Sequence, residues 1–252
     1  MSPETTDFLY PFIEGDERDA PSLLADLSSS AQAKWAHSTE LRSSTLAGCE
    51  AQLGAVAAAM ARRFEAGGQL FAFGNGGSAT DADAVAQLFT RPPWGESLPA
   101  RSLVTDHAVI TALSNDIGFD IVFSRQIEAH GHPADIAVGL STSGNSENLL
   151  MAFGQAARQG LLTVGLSGYD GGRMAACDDL EHCLVVRSDS VHRIQESQSA
   201  VAHALWAAVQ RELGELTLAR TDPQASEQDA HRHNGRTDNP RTDNPRTDKG
   251  AA

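Results

Sequence analysis

Two loops carry the residue types that bind anions. Ser141-Thr-Ser-Gly-Asn-Ser146 packs four hydroxyl side chains into six residues, and Phe73-Gly-Asn-Gly-Gly-Ser-Ala79 sets three glycines beside a serine. Ser141, Thr142, Ser143 and Ser146 offer a ring of neutral donors that can hold a phosphate monoester without lysine or arginine. In the other loop Gly74, Gly76 and Gly77 let the backbone turn tightly and aim N–H groups outward. Ser78 is placed to cap the following helix and donate its hydroxyl, and the helix N-terminus adds partial positive charge. Turn and cap preferences explain one hydroxyl per loop, not four.

Gly74-x-Gly76-x-x-Ala79 also fits the dinucleotide fingerprint G-x-G-x-x-G/A, and Asp106 stands where a ribose-binding acid would follow the next strand. That reading leaves the Ser141 loop without a purpose. No P-loop sequence GxxxxGK[ST] occurs.

The elements that must position these loops alternate. Short apolar runs at Gln69–Phe73, Arg101–Thr105, Ala134–Leu140, Leu161–Leu166 and Cys183–Val186 are separated by helical patterns near Ala79–Phe89, His107–Asn115, Phe119–His130, Asn145–Gln159 and Ser190–Leu213. A parallel pair needs a crossover, usually a helix, so the alternation predicts a doubly wound α/β domain of about 150 residues. Leu23, Leu24, Leu27, Ala31 and Trp35, then a second segment from Leu41 to Phe64, predict two N-terminal helices.

The chain has 252 residues, 41% hydrophobic, with a formal net charge of −14. Such a charge argues against direct binding to nucleic acid or an anionic membrane, so a phosphorylated ligand must be held locally. No apolar run approaches the ~18 residues of a membrane span, and the acidic start is unlike a signal peptide, so the expected location is the cytoplasm. Cys49, Cys177 and Cys183 are expected to be idle thiols rather than disulfides or zinc ligands. Residues 1–20 form an acidic extension with an apolar patch, Phe8–Ile13. The domain with its N-terminal helices spans 21–216, and 217–252, with its repeated Arg-Thr-Asp-Asn-Pro, is expected to be disordered.

The segments Phe73–Thr80, Ile121–His130, Ser141–Asn148 and Arg193-Ile-Gln-Glu-Ser197, in this order, resemble the sugar isomerase (SIS) domain family, and within it the phosphoheptose isomerase group. The resemblance covers the chain to about residue 215. It implies the SIS fold, a five-stranded parallel sheet flanked by helices, a homotetramer with sites at subunit interfaces, and a sugar phosphate ligand. It assigns the phosphate to Ser78, Ser141, Thr142, Ser143 and Ser146 and turns Asn75 and Asp106 to the sugar, with Gly76 and Gly77 also expected to bind substrate.

Family members similar to this chain carry a His and a Glu four residues apart on the helix after the first loop, and a Gln and a His eight apart on the last helix, both pairs commonly binding zinc. Counted from Ser78, the first pair falls on Ala84 and Leu88; the second is present as Gln195 and His203. Asp81, Asp83 and Gln87 share the first helix without taking the Glu position. Zinc is therefore not expected, Gln195 and His203 being the residual candidates. The implied reaction converts sedoheptulose 7-phosphate to an aldoheptose 7-phosphate, with His203 in proton transfer and His192, Asp106 or Gln195 assisting. Other SIS relatives are regulators or assembly factors. The second expectation is therefore a non-catalytic phosphosugar sensor that engages a protein partner through residues 8–13 or the tail.

Overall fold

The computed structural model describes residues 20–221. The expectations for the Phe8–Ile13 patch and for the repeats of the tail lie outside the described residues. Strands β1 (Leu70–Gly74), β2 (Ala100–Ser102), β3 (Ile136–Leu140), β4 (Leu162–Gly168) and β5 (His182–Val186) follow the five expected runs, except that Leu103–Thr105 of the run at Arg101–Thr105 turn away instead of extending β2. Every neighbouring pair is parallel, in the order β2-β1-β3-β4-β5. The expected five-stranded parallel sheet is present.

β1, β3 and β4 are buried at every residue, because helices cover both faces; hence their mainly apolar sequences, with Thr163 Oγ1 donating to Asp179 O and Ser167 Oγ to Gly171 O where β4 carries hydroxyls. Side chains alternate between the faces. Leu70, Ala72, Ile136 and Val138 join a core with α1 (Ala20–Glu65), α2 (Gly77–Thr90) and α6 (Val191–Thr221). Phe71, Phe73 and Ala137 join another with α4 (Val122–His130) and α5 (Glu147–Arg158). The ring of Phe73 lies 5.4 Å from that of Phe123 and 5.3 Å from that of Phe153. α3 (His107–Asp116) follows β2 and buries no residue.

The two expected N-terminal helices are one helix of 46 residues, about 69 Å long at 1.5 Å per residue. No glycine or proline interrupts residues 36–41. The hydroxyls there fold back on their own helix, Thr39 Oγ1 donating to Trp35 O at 2.9 Å and Ser43 Oγ to Thr39 O at 3.0 Å. A polar stretch without a breaker continues a helix. Leu53, Val56 and Met60 are buried in the core shared with α6, while Leu24, Leu27 and Trp35 stay exposed. At the other end α6 runs to Thr221, five residues past the boundary at 216.

Cys183 on β5 packs into the second core near Cys177, and all three cysteines are free thiols. Burial, and then the neighbouring Cys177, pushes the Cys183 thiol up from 9.0 to about 11. With the folded value above the unfolded one, the stabilisation from a neutral thiol is complete below pH 9.0 and is lost as the pH rises through about 11. Cys183→Ala is therefore expected to flatten the alkaline loss of stability in urea titrations across that range. An unchanged alkaline limb would assign it to another group.

Candidate functional site

The chain leaves β1 for β2 on one side and returns to β3 on the other, so the carboxyl ends of β1 and β3 flank the topological switch point, where open α/β sheets bind ligands. The glycine-rich loop and the hydroxyl-rich loop leave these two strands.

The first loop turns at Gly76, whose φ of 56° and ψ of −125° suit only glycine, and which occupies the N-cap of α2. Ser78 is therefore not the cap; the backbone angles exclude a serine there. Ser78 is buried in the first turn, and its hydroxyl makes no hydrogen bond among the described residues. Ala79 N donates back to Gly76 O at 3.0 Å, so that hydroxyl and the N–H groups of Gly77 and Ser78 are the donors at this helix start. A Cβ at Gly77 would lie 2.2 Å from Gln195 Nε2, so the start of α2 rests against α6.

In the second loop three hydroxyls converge, Ser141 Oγ lying 3.4 Å from Ser146 Oγ and 3.5 Å from Ser143 Oγ. Ser141 Oγ also accepts from Gly144 N at 3.0 Å. Ser146 sits at the N-cap of α5, yet its side chain caps nothing; the hydroxyl faces the loop. Behind the loop, fully buried Gln198 donates from Nε2 to Ser141 O at 3.1 Å. A cleft of about 630 Å³ opens beside it, lined by Ser143, Asn145, Tyr169, Asp170, Ser188 and Asp189.

Asn75 and Asn148 tie the loops together, exchanging amide hydrogen bonds of 2.8 and 3.0 Å. Asn75, expected to face the sugar, thus commits a donor and its carbonyl to this clasp. Asn148→Ala is expected to cost about 1–3 kcal/mol in urea denaturation, because it strips both bonds from a part-buried partner. Unchanged stability would show the clasp to be idle.

Residues three or four apart share a helix face. Ser78, Asp81, Ala84 and Leu88 therefore form a stripe on α2, and Gln195, Ser199 and His203 one on α6. Between them lies a crevice of about 20 Å³ whose lining includes Asp81, Ala84, Leu88, Ser199 and His203. His203 Nδ1 lies 2.9 Å from Ser199 O. A carbonyl only accepts, so Nδ1 carries the proton and the lone pair of the neutral ring is on exposed Nε2. Gln195 Nε2 donates to Asp81 Oδ2 at 3.2 Å. Burial pushes the Asp81 carboxyl up from its ordinary value, while the Gln195 hydrogen bond pulls it down.

Asp106 and His192 do not join this group within one chain. Asp106 Oδ1 accepts from Val109 N at 3.0 Å and caps α3. His192 is exposed in the first turn of α6, eleven residues from His203, or about 16 Å along the axis. Asp83 accepts from Gln87 Nε2 at 2.6 Å. Asp81 is the member that sequence reasoning set aside; its spacing of three from Ser78 was the available signal.

A tetrahedral zinc site takes three or four Cys, His or carboxylate ligands. The crevice offers only Asp81 and His203, with the Gln195 amide alongside, while Ala84 and Leu88 can ligate nothing. Among the described residues no three His, Cys, Asp or Glu side chains come together as a metal cluster. The donor set does not fit such a centre.

Fold and loops together define a doubly wound α/β protein with two loops rich in hydrogen-bond donors at its switch point. The chain belongs to the SIS domain family, whose model matches residues 35–168. It is 46% identical to the phosphoheptose isomerase of Sulfurimonas denitrificans over 146 residues, covering 56% of this chain and 72% of that protein. With the enzyme of the same name from Rhodospirillum rubrum it shares 42% identity over 179 residues, covering 66% and 92%. Among solved structures, the phosphoheptose isomerase of Neisseria gonorrhoeae matches with a TM-score of 0.67 at 35% identity, covering 73% of this chain and 98% of that one. That of Francisella tularensis matches with the same TM-score at 30% identity, covering 73% and 97%.

Proposed function

We propose that the protein is a sugar-phosphate isomerase interconverting a ketose and an aldose phosphate, with sedoheptulose 7-phosphate as its substrate. The observation that carries this reading is the convergent hydroxyl loop at the switch point, in a chain more than 40% identical to phosphoheptose isomerases. The loop hydroxyls and the start of α2 hold the phosphate through neutral donors, consistent with the acidic chain. His203 Nε2 takes a proton from the carbon beside the carbonyl and returns it to the neighbouring carbon.

The catalytic arrangement is metal-free, because Ala84 and Leu88 present no ligand to His203. Residues 21–216 form the working domain, a homotetramer of the cytoplasm. No helix among the described residues is long and apolar enough to cross a membrane.

The test is NMR of the protein with sedoheptulose 7-phosphate in heavy water. Deuterium entering beside the carbonyl, with aldose appearing, supports the isomerase. Saturable binding with no exchange supports the second reading, a sensor that holds a phosphosugar unchanged, which the apolar side chains at Ala84 and Leu88 favour.

A further inference from the structure

The isomerase reading requires two groups that handle protons, and His203 is one. We propose that Asp81 is the other: its carboxylate carries the hydroxyl proton of the substrate from one oxygen to the next while His203 carries the carbon-bound proton. The inference rests on the isomerase reading and supplies the partner it lacks.

Three observations place Asp81 in this role. It lies one turn beyond Ser78, on the stripe of α2 that faces His203, and lines the same crevice. Only Oδ2 is engaged, by Gln195 Nε2; Oδ1 has no hydrogen-bond partner among the described residues. The other carboxylates considered are committed elsewhere, Asp83 to Gln87 and Asp106 to the cap of α3. Gln195, pressed against Gly77, fixes the orientation of the carboxylate.

The step balances without an added reactant. His203 Nε2 takes a proton from the hydroxyl-bearing carbon, the C–H pair becomes the double bond of an enediolate, and the former carbonyl oxygen takes the negative charge. Asp81 takes the proton of the neighbouring hydroxyl, which becomes the new carbonyl, and delivers it to that oxygen. His203 then returns its proton to the second carbon. Both side chains end in their starting states.

The experiment compares wild type, Asp81→Asn, Asp81→Ala and Asp81→Glu as full chains with sedoheptulose 7-phosphate, measuring binding by calorimetry and turnover by NMR. Asp81→Asn and Asp81→Ala are expected to lower kcat by ~10²-fold or more with KM nearly unchanged. Added formate is expected to restore the Ala variant but not the Asn variant, and Asp81→Glu to recover part of the rate. Turnover by Asp81→Asn close to wild type overturns the proposal. So does failure of formate to rescue the Ala variant, or loss of sugar-phosphate binding in both, since Asp81 would then be structural. A wild type that binds without turnover overturns the isomerase reading itself, and this inference with it.

Discussion

His203→Ala is expected to abolish deuterium incorporation into a bound ketose phosphate, by ~10²–10⁴-fold, while the dissociation constant stays within about threefold. The side chain is exposed, with Nδ1 held by Ser199 O and Nε2 free. Its removal takes away a base and little packing. Alanine is the best helix former, so α6 and its buried Gln198, which props the Ser141 loop, remain in place. His203→Gln is expected to be as inactive, because an amide forms hydrogen bonds but accepts no proton near neutrality. Exchange persisting in both variants would move the base elsewhere and remove the main support for pairing His203 with Asp81.

The second large effect concerns the phosphate. Gly144 has a φ of 66°, and a Cβ there would lie 2.1 Å from Gly171 O and 2.4 Å from Ser167 Oγ. Both contacts are behind the hydroxyl loop, so Gly144→Ala pushes the loop out of the geometry in which Ser141, Ser143 and Ser146 converge. Left-handed strain and overpacking together are expected to cost about 2–5 kcal/mol of stability. Affinity for a sugar phosphate or inorganic phosphate is expected to fall about 100-fold or more, equivalent to about 2.7 kcal/mol. Gly48→Ala is the control: a Cβ at this exposed position in α1 meets nothing within 4 Å, and the change is expected to stabilise by about 0.5–1 kcal/mol. Calorimetric titration and urea denaturation of the two variants read both effects. Unchanged affinity in Gly144→Ala would mean that the phosphate is seated elsewhere.

The elements were legible where their signals are local. All five strands overlap the runs read from the sequence, most closely β1, β3 and β4, which helices cover on both faces and which are mainly apolar; β2, Ala-Arg-Ser and partly exposed, overlaps its run by two residues. The positions of the two loops were legible because glycines and clustered hydroxyls mark strand ends without reference to distant residues. Local signals misled in two places. The gap in the apolar stripe around residues 36–41 suggested a break, but polar residues without a glycine or proline continue a helix rather than end it. Ser78 suggested a cap because serine favours caps, yet the turn demanded a backbone conformation that glycine alone adopts at Gly76.

The sequence by itself thus determined the parallel sheet, through the alternation of strands and helices, and the loops at strand ends and the placing of Gln195 and His203 on one helical face, through spacing within single elements. Only the tertiary structure decided which side chains meet. It joined Asn75 to Asn148, set Asp106 on its own helix and kept His192 away from His203. It also brought Asp81 to Gln195 across 114 residues. The physical reason is that the register between α2 and α6 is set by how their side chains and those of the sheet fill a common core, with Gly77 allowing close approach. That sum over many distant contacts has no counterpart in the local pattern of either helix.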